Sequence, residues 1–193
     1  YSKTLEFESD FRDYCARYVA PGLDYFSFLR PLTELQIAGL FADMPRYHNA
    51  FRSCNRGQSS NSWCGACPKC LSVFILLYPF SDDTVAIFGR NLLDDAELLP
   101  IAVGLLQPDE IKPFECVGTR EENRVAFQLC LHRAREQRLP HALLEALIPD
   151  LERDMDSLSA RARTLLASWS RDHFLPSEFE QVLRRRLETL PTP

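Results

Sequence analysis

Cys54, Cys64, Cys67 and Cys70 fall within seventeen residues, and their C-x9-C-x2-C-x2-C spacing constrains this chain more than any other feature. A C-x2-C step lets two thiolates turn onto one ion. Gly65, inside the first step, can take the positive φ that such a turn often needs. Pro68 stands where a helix can begin, because the first helical position does not need its amide hydrogen. Four sulfur ligands complete a tetrahedral shell and close it to water, which points to structural rather than catalytic zinc. Two disulfides, reduced buried thiols or an iron–sulfur cluster are the alternatives left open at this stage.

The rest of the chain bounds the setting. At 193 residues it can build one full core, or a core with a helical appendage. A net charge of −5 counts against a nucleic-acid surface. No apolar run approaches the roughly 20 residues of a membrane helix; the longest, Leu71 to Leu77, contains Ser72 and is of core length. No signal peptide is visible, so the expected compartment is the reducing cytoplasm, with no membrane or nucleic-acid partner. Residue 1 is Tyr rather than Met, and the chain is expected to be processed or a piece of something longer.

Periodicity predicts a mainly helical chain with a few short strands. Glu8 to Ala20 reads as a helix whose apolar face carries Phe11, Tyr14, Cys15 and Tyr18, ended by Pro21-Gly22. Tyr25 to Leu29 is expected as a strand or extended segment. Thr33-Glu34-Leu35-Gln36 is a capping box, and its helix carries Leu35, Ala38, Leu40 and Phe41 and stops before Pro45. From Pro68 a second helix runs to about Tyr78, apolar all round and therefore buried. Val85 to Phe88 is β-branched and aromatic and precedes Gly89, which predicts a short strand. Asp94 to Leu106 is expected to be helical, bent or divided by Pro100. Thr119-Arg120-Glu121-Glu122 caps a long helix to about Gln137. Beyond Pro140, helical segments at 141–148, 150–169 and 177–188 alternate leucines with charge, punctuated by Pro140, Pro149 and Pro176. Arg161, Arg163, Arg184, Arg185 and Arg186 read as solvated faces and helix C-terminal charge. The expected division is a zinc-containing lobe over 1–118 and a helical region over 119–193.

Outside the cluster, one loop carries unusual chemistry. Lys112-Pro113-Phe114-Glu115-Cys116-Val117-Gly118 packs charge, aromatic, thiol and glycine together without a helical period. Cys116 there can act as a nucleophile or carbon-acid base where positive charge lowers its pKa, although most free cysteines are buried small hydrophobes. Cys15 and Cys130 lie on apolar helical faces and read as core. His48 reads as a loop residue, and His132, His141 and His173 as structural or exposed. The chain has no glycine-rich phosphate loop, no serine elbow and no dinucleotide fingerprint.

Several motifs, taken in order, resemble a known group. Arg30-Pro31-Leu32-Thr33-Glu34-Leu35-Gln36-Ile37-Ala38, Ser53-Cys54-Asn55 and Trp63-Cys64-Gly65-Ala66-Cys67-Pro68-Lys69-Cys70 resemble the zinc-containing PP-loop ATP pyrophosphatases, of which 7-cyano-7-deazaguanine synthase is one, and Phe28 to Gln36 tightens the match to one family related to them. With Phe88-Gly89-Arg90-Asn91-Leu92-Leu93 and Lys112 to Gly118, the pattern resembles the UDP-N-acetyl-α-D-muramoyl-L-alanyl-L-glutamate epimerase family over roughly the first 130 residues. The resemblance implies the zinc-braced C-terminal lobe of an α/β enzyme. Such an enzyme uses ATP and Mg²⁺ to adenylate the terminal L-glutamate of a UDP-linked muramoyl dipeptide, then inverts its α-carbon during peptidoglycan precursor synthesis. It further implies Arg30, Arg56 and Lys112 as contacts for phosphate or carboxylate groups, and the Glu115–Cys116 pair as the source of one proton-transfer group. The family's pyrophosphate loop is absent here, so the nucleotide-binding half is expected N-terminal to this chain. A non-catalytic zinc interaction module, or another pyrophosphatase of the group, stands as the alternative.

Overall fold

The computed structural model describes Tyr1 and residues 3–191. Nine α-helices are present among the described residues: α1 (Leu5–Tyr14), α2 (Glu34–Ala42), α3 (Pro68–Leu77), α4 (Thr84–Phe88), α5 (Leu99–Leu106), α6 (Arg120–Gln137), α7 (Ala142–Leu151), α8 (Leu158–Ala167) and α9 (Ser177–Leu187). The mainly helical expectation stands, but no strand occurs among the described residues, and the expected short strands are corrected. Val85 to Phe88 belongs to α4, where Thr84, Ile87 and Phe88 are buried. Those three positions follow the i, i+3, i+4 spacing of a helix, in a run too short to outweigh its β-branched residues. Gly89 then closes the helix in the left-handed conformation at φ 76°. Tyr25 to Ser27 is non-regular chain, followed by a turn over Phe28 to Arg30.

The buried centre is α3. It packs against α6, α2 and α5, and Leu71, Phe74, Ile75 and Leu77 are essentially sealed from solvent. Phe127 of α6, Leu105 of α5 and Leu143, Leu144 and Leu151 of α7 join the same core. That core crosses residue 118 without a break. At roughly 1.5–3 kcal/mol for each fully buried large apolar side chain, α3 is the element on which the others depend.

Several helix starts follow their capping chemistry. Thr33 and Gln36 form the reciprocal box of α2, and Thr119 and Glu122 that of α6. Pro100 opens α5 instead of bending it. Pro149 lies inside α7 instead of ending it; its ring is exposed, so the carbonyl it leaves unbonded faces water. The first helix differs most from expectation. From Cys15 to Val19 the backbone widens into a π turn, which rotates every later side chain about the axis. Cys15 is buried as expected, while Tyr14 and Tyr18 are exposed.

The polar contacts inside this core hold one loop. Ser72 and Asn123 are fully buried. The Ser72 hydroxyl reaches the Val117 carbonyl at 3.1 Å and Asn123 Oδ1 at 3.0 Å. Asn123 Nδ2 donates to the carbonyls of Val117 at 2.6 Å and Thr119 at 2.8 Å. The buried Glu122 carboxylate accepts from the backbone N–H of Thr119 at 2.6 Å and of Glu34 at 2.7 Å. The starts of α2 and α6 are thereby joined, and residues 117–119 are tied to α3.

Candidate functional site: a tetracysteine cluster and the cleft beside it

The four cysteines converge. Their sulfurs all lie within 4.8 Å of one another. The measured separations are 3.9 Å for Cys54–Cys67, 3.7 Å for Cys64–Cys70 and 3.5 Å for Cys67–Cys70. Four sulfurs about 2.3 Å from one tetrahedral ion stand ~3.8 Å apart, whereas a disulfide requires about 2.05 Å. No disulfide is present among the described residues, and the spacing suits a single ion better than a cluster of several irons, whose width would spread the ligands.

Local geometry explains the convergence. Cys67 is the N-cap of α3, and its sulfur accepts from the Cys70 N–H at 3.4 Å. Gly57 N–H donates to the Cys54 sulfur at 3.2 Å. Gly65 adopts φ 66°, the conformation that only glycine takes without strain. Arg90 clamps this knuckle by donating to the Gly65 carbonyl at 2.8 Å, and Asp95 holds Arg90 at 2.7 Å. Sequence reasoning placed Arg90 in a motif without a role. Trp63, next to Cys64, is buried, its ring 4.3 Å from that of Phe88 and 5.2 Å from that of Phe51.

The electrostatics of four close sulfurs call for a cation. Burial pushes the Cys67 thiol up to about 11 and Cys70 higher still. At Cys54 burial acts in the same sense, but N–H groups of Cys64 and Gly57 and neighbouring thiols outweigh it and bring the group down to about 6. One thiolate forms readily, while at Cys67 and Cys70 burial and then neighbouring sulfurs oppose ionisation. A bound divalent ion removes that opposition and displaces the protons. His48 takes no part: it is buried, with Nδ1 3.0 Å from Asp83 and Nε2 3.1 Å from the Phe41 carbonyl.

Next to the cluster a cleft of about 390 Å³ opens between α2 and α3. Ile37, Ala38, Phe41 and Val73 give it an apolar floor, while Glu34, Ser53, Lys69 and Cys116 bring polar groups to it. A second hollow, lined by Lys3, Glu8 and Arg30, shares Leu29, Glu34 and Ile37 with the first. The two hollows adjoin there, the α2–α3 cleft being the groove that reaches Cys116. Cys116 is exposed, and the Lys3 ammonium touches its sulfur, a contact that raises the pKa of the lysine.

The other candidates are distributed unevenly. Arg30 lines the second hollow but is paired at 2.5 Å with Glu8, which is fully buried and also accepts the Ser27 N–H. Arg56 reaches the Ala66 carbonyl at 3.5 Å, over the cysteine loop. Neither Arg56 nor Lys112 lines the groove. Glu115 precedes Cys116 and has one carboxyl oxygen buried without a hydrogen-bond partner among the described residues. Cys15 and Cys130 are core, as their helical spacing predicts. Sequence reasoning missed Glu34 and Lys69, because an acid at a helix start and a lysine between two ligands both have simpler explanations.

Fold and site together define an all-helical domain clasped by a tetracysteine cluster, with a free thiol in the adjoining groove. Residues 50–162, more than half of the chain, match the family described as the MurL C-terminal domain, and the chain belongs to that family. A relative from Xanthomonas oryzae pv. oryzae, named UDP-N-acetyl-alpha-D-muramoyl-L-alanyl-L-glutamate epimerase, is 40% identical over 94% of this chain and 42% of its own length. A relative of the same name from a Micromonospora species is 36% identical over 95% of this chain and 41% of its own. Another from Salinispora tropica is 39% identical over 76% of this chain. The chain thus spans about two fifths of the length of the first two relatives. No solved structure matches it significantly.

Proposed function

We propose that this chain is the metal-clasped C-terminal part of an ATP-dependent epimerase. Its substrate would be UDP-N-acetylmuramoyl-L-alanyl-L-glutamate, whose terminal L-glutamate is inverted to the D form for peptidoglycan precursor synthesis. The observation that carries this reading is the 40% identity, over nearly the whole chain, to an enzyme bearing that name. The chemistry is coherent. Adenylation of a carboxylate releases pyrophosphate and makes the neighbouring α-proton far more acidic, and attack of water on the acyl carbon then releases AMP and returns the inverted acid.

This chain has no phosphate loop, so ATP and Mg²⁺ are assigned to the nucleotide-binding half of the longer enzyme. The kinship of that half to PP-loop ATP pyrophosphatases rests on the motif resemblance. The boundary between a zinc-containing lobe over 1–118 and a helical region over 119–193 belongs to the same proposal. Zinc at Cys54, Cys64, Cys67 and Cys70 would be structural, holding the 54–67 loop to α3. Cys116, which lines the groove, would exchange a proton with the substrate's α-carbon, with Glu115 as its neighbour in that role. Arg30, Arg56 and Lys112 are proposed contacts for the phosphate and carboxylate groups of the substrates. The expected setting is the cytoplasm, where nucleotide-linked precursors and reduced cysteines coexist.

The test is direct. The full-length enzyme, given ATP and the UDP-linked L-alanyl-L-glutamate substrate, should yield D-glutamate on hydrolysis and chiral analysis, with AMP formed alongside. Complete retention of L-glutamate would overturn the reading.

A further inference from the structure

Inversion of a carbon acid needs two groups, one to remove the proton and one to return it on the other face. The proposed function supplies one, Cys116. We infer that Glu34 is the second proton-transfer group, sharing the α2–α3 groove with Cys116. This deepens the proposed function and rests on it.

Four observations carry the assignment. Glu34 and Cys116 line the same groove over an apolar floor. The two are brought together through Gly118, two residues beyond the thiol. A Cβ built on Gly118 would lie 3.4 Å from Glu34 Cγ, so a glycine gives the acid its room. The backbone of Glu34 is held by Glu122, while its own carboxyl makes no hydrogen bond or ion pair among the described residues. A carboxyl left unpaired beside a thiol in an apolar groove is a functional-site signature. Glu34 is exposed to solvent on one side while it lines the cleft on the other. Desolvation, followed by repulsion from Glu122, raises its pKa, against the opposing pull of Lys69 and Lys3. Raising a carboxyl toward neutrality fits it to give and take protons.

The step balances. The base takes the α-proton, the C–H electron pair moves onto the activated acyl oxygen, and an enolate results. The other group, protonated beforehand, delivers its proton to the opposite face as the carbonyl reforms. Solvent then exchanges protons with both groups and restores the starting state. Neither oxidant nor reductant is needed. The groove's volume of about 390 Å³ lies near the lower end of ligand sites. It accommodates an aminoacyl arm and not an entire nucleotide-linked sugar.

The experiment uses the full-length enzyme in deuterated water, with wild type, Glu34→Gln and Glu34→Asp compared on both epimers of the substrate. Glu34→Gln is expected to lower inversion by about 10²–10⁴-fold, with unchanged metal content. It should still exchange the α-hydrogen of the one epimer that faces Cys116. Glu34→Asp should restore inversion in part. Inversion by Glu34→Gln within two-fold of wild type would overturn the assignment. Loss of exchange on both epimers by a folded Glu34→Gln would also overturn it, since Glu34 would then serve binding. Should Glu34→Gln fail to fold, inversion by Glu34→Asp at the wild-type rate with an unchanged pH profile would count against it. A wild-type enzyme that forms no D-epimer refutes the proposed function itself, and the assignment falls with it; an active wild type isolates any failure to Glu34.

Discussion

At the residue scale, Glu34 and Gly118 show how a site can be held at a cost in stability. The pKa of Glu34 is raised, first by desolvation and then by Glu122. A carboxyl raised in the folded state contributes stability below the unfolded carboxylate range, near pH 4, and loses it as pH rises through the folded value. At neutral pH the ionised group therefore opposes folding. Glu34→Gln should raise Tm at pH 7, and the gain should vanish when melting is repeated below about pH 4. An equal or lower Tm at pH 7 would contradict this. Gly118 sits at φ 66°, and a Cβ there would come within 3.2 Å of Glu122 Oε2. Gly118→Ala should cost about 1–3 kcal/mol from backbone strain alone. Calorimetry should then show a Tm lower by about 2–12 °C.

Among elements, the decisive junction is where the starts of α2, α3 and α6 meet around residues 116–119. Two buried side chains hold it, Ser72 from α3 and Asn123 from α6. Asn123→Ala removes two donated bonds to backbone carbonyls, although Val117 keeps the Ser72 hydroxyl and Thr119 the backbone N–H of residue 123 as donors. The expected loss is about 1–3 kcal/mol. Hydrogen exchange should become faster at residues 117–119 than in α7. A uniform change across both would mean that the pair stabilises the core without holding the loop. The α2 and α6 boxes were legible, because Thr with Gln or Glu three residues on satisfies a helix start from local sequence alone. Their mutual tie through Glu122 was not legible, since it joins residues 88 positions apart.

For the whole molecule, the cluster and the core form one cooperative unit. Cys67 caps α3 and Cys70 lies in its first turn, and the neighbouring Trp63 stacks on Phe88 within the same core. Freshly purified protein should contain one equivalent of zinc by elemental analysis. Structural zinc sites contribute on the order of 10–16 kcal/mol, comparable with the stability of a domain. Stripping the metal with a chelator, or replacing Cys67 with Ser, should unfold the chain, read as a red shift of tryptophan emission and lost near-ultraviolet dichroism. Protein that keeps its Tm within about 2 °C after complete metal removal would disprove the structural role.

The sequence by itself determined the four cysteines that converge, the capped helix starts and the buried character of the helix from Pro68. Each depends on spacing within a few residues or on composition along one face. It did not determine α4, because five residues cannot display a period against a β-branched composition. Nor did it show the π turn after Tyr14, which depends on how Cys15 reaches the core. The groove was decided only by tertiary structure. Glu34, Lys69 and Cys116 come from three separate segments, and each alone reads as a cap, a surface charge or a spare thiol. Packing against one buried helix brings them to a common apolar floor, a juxtaposition that no local spacing along the chain encodes.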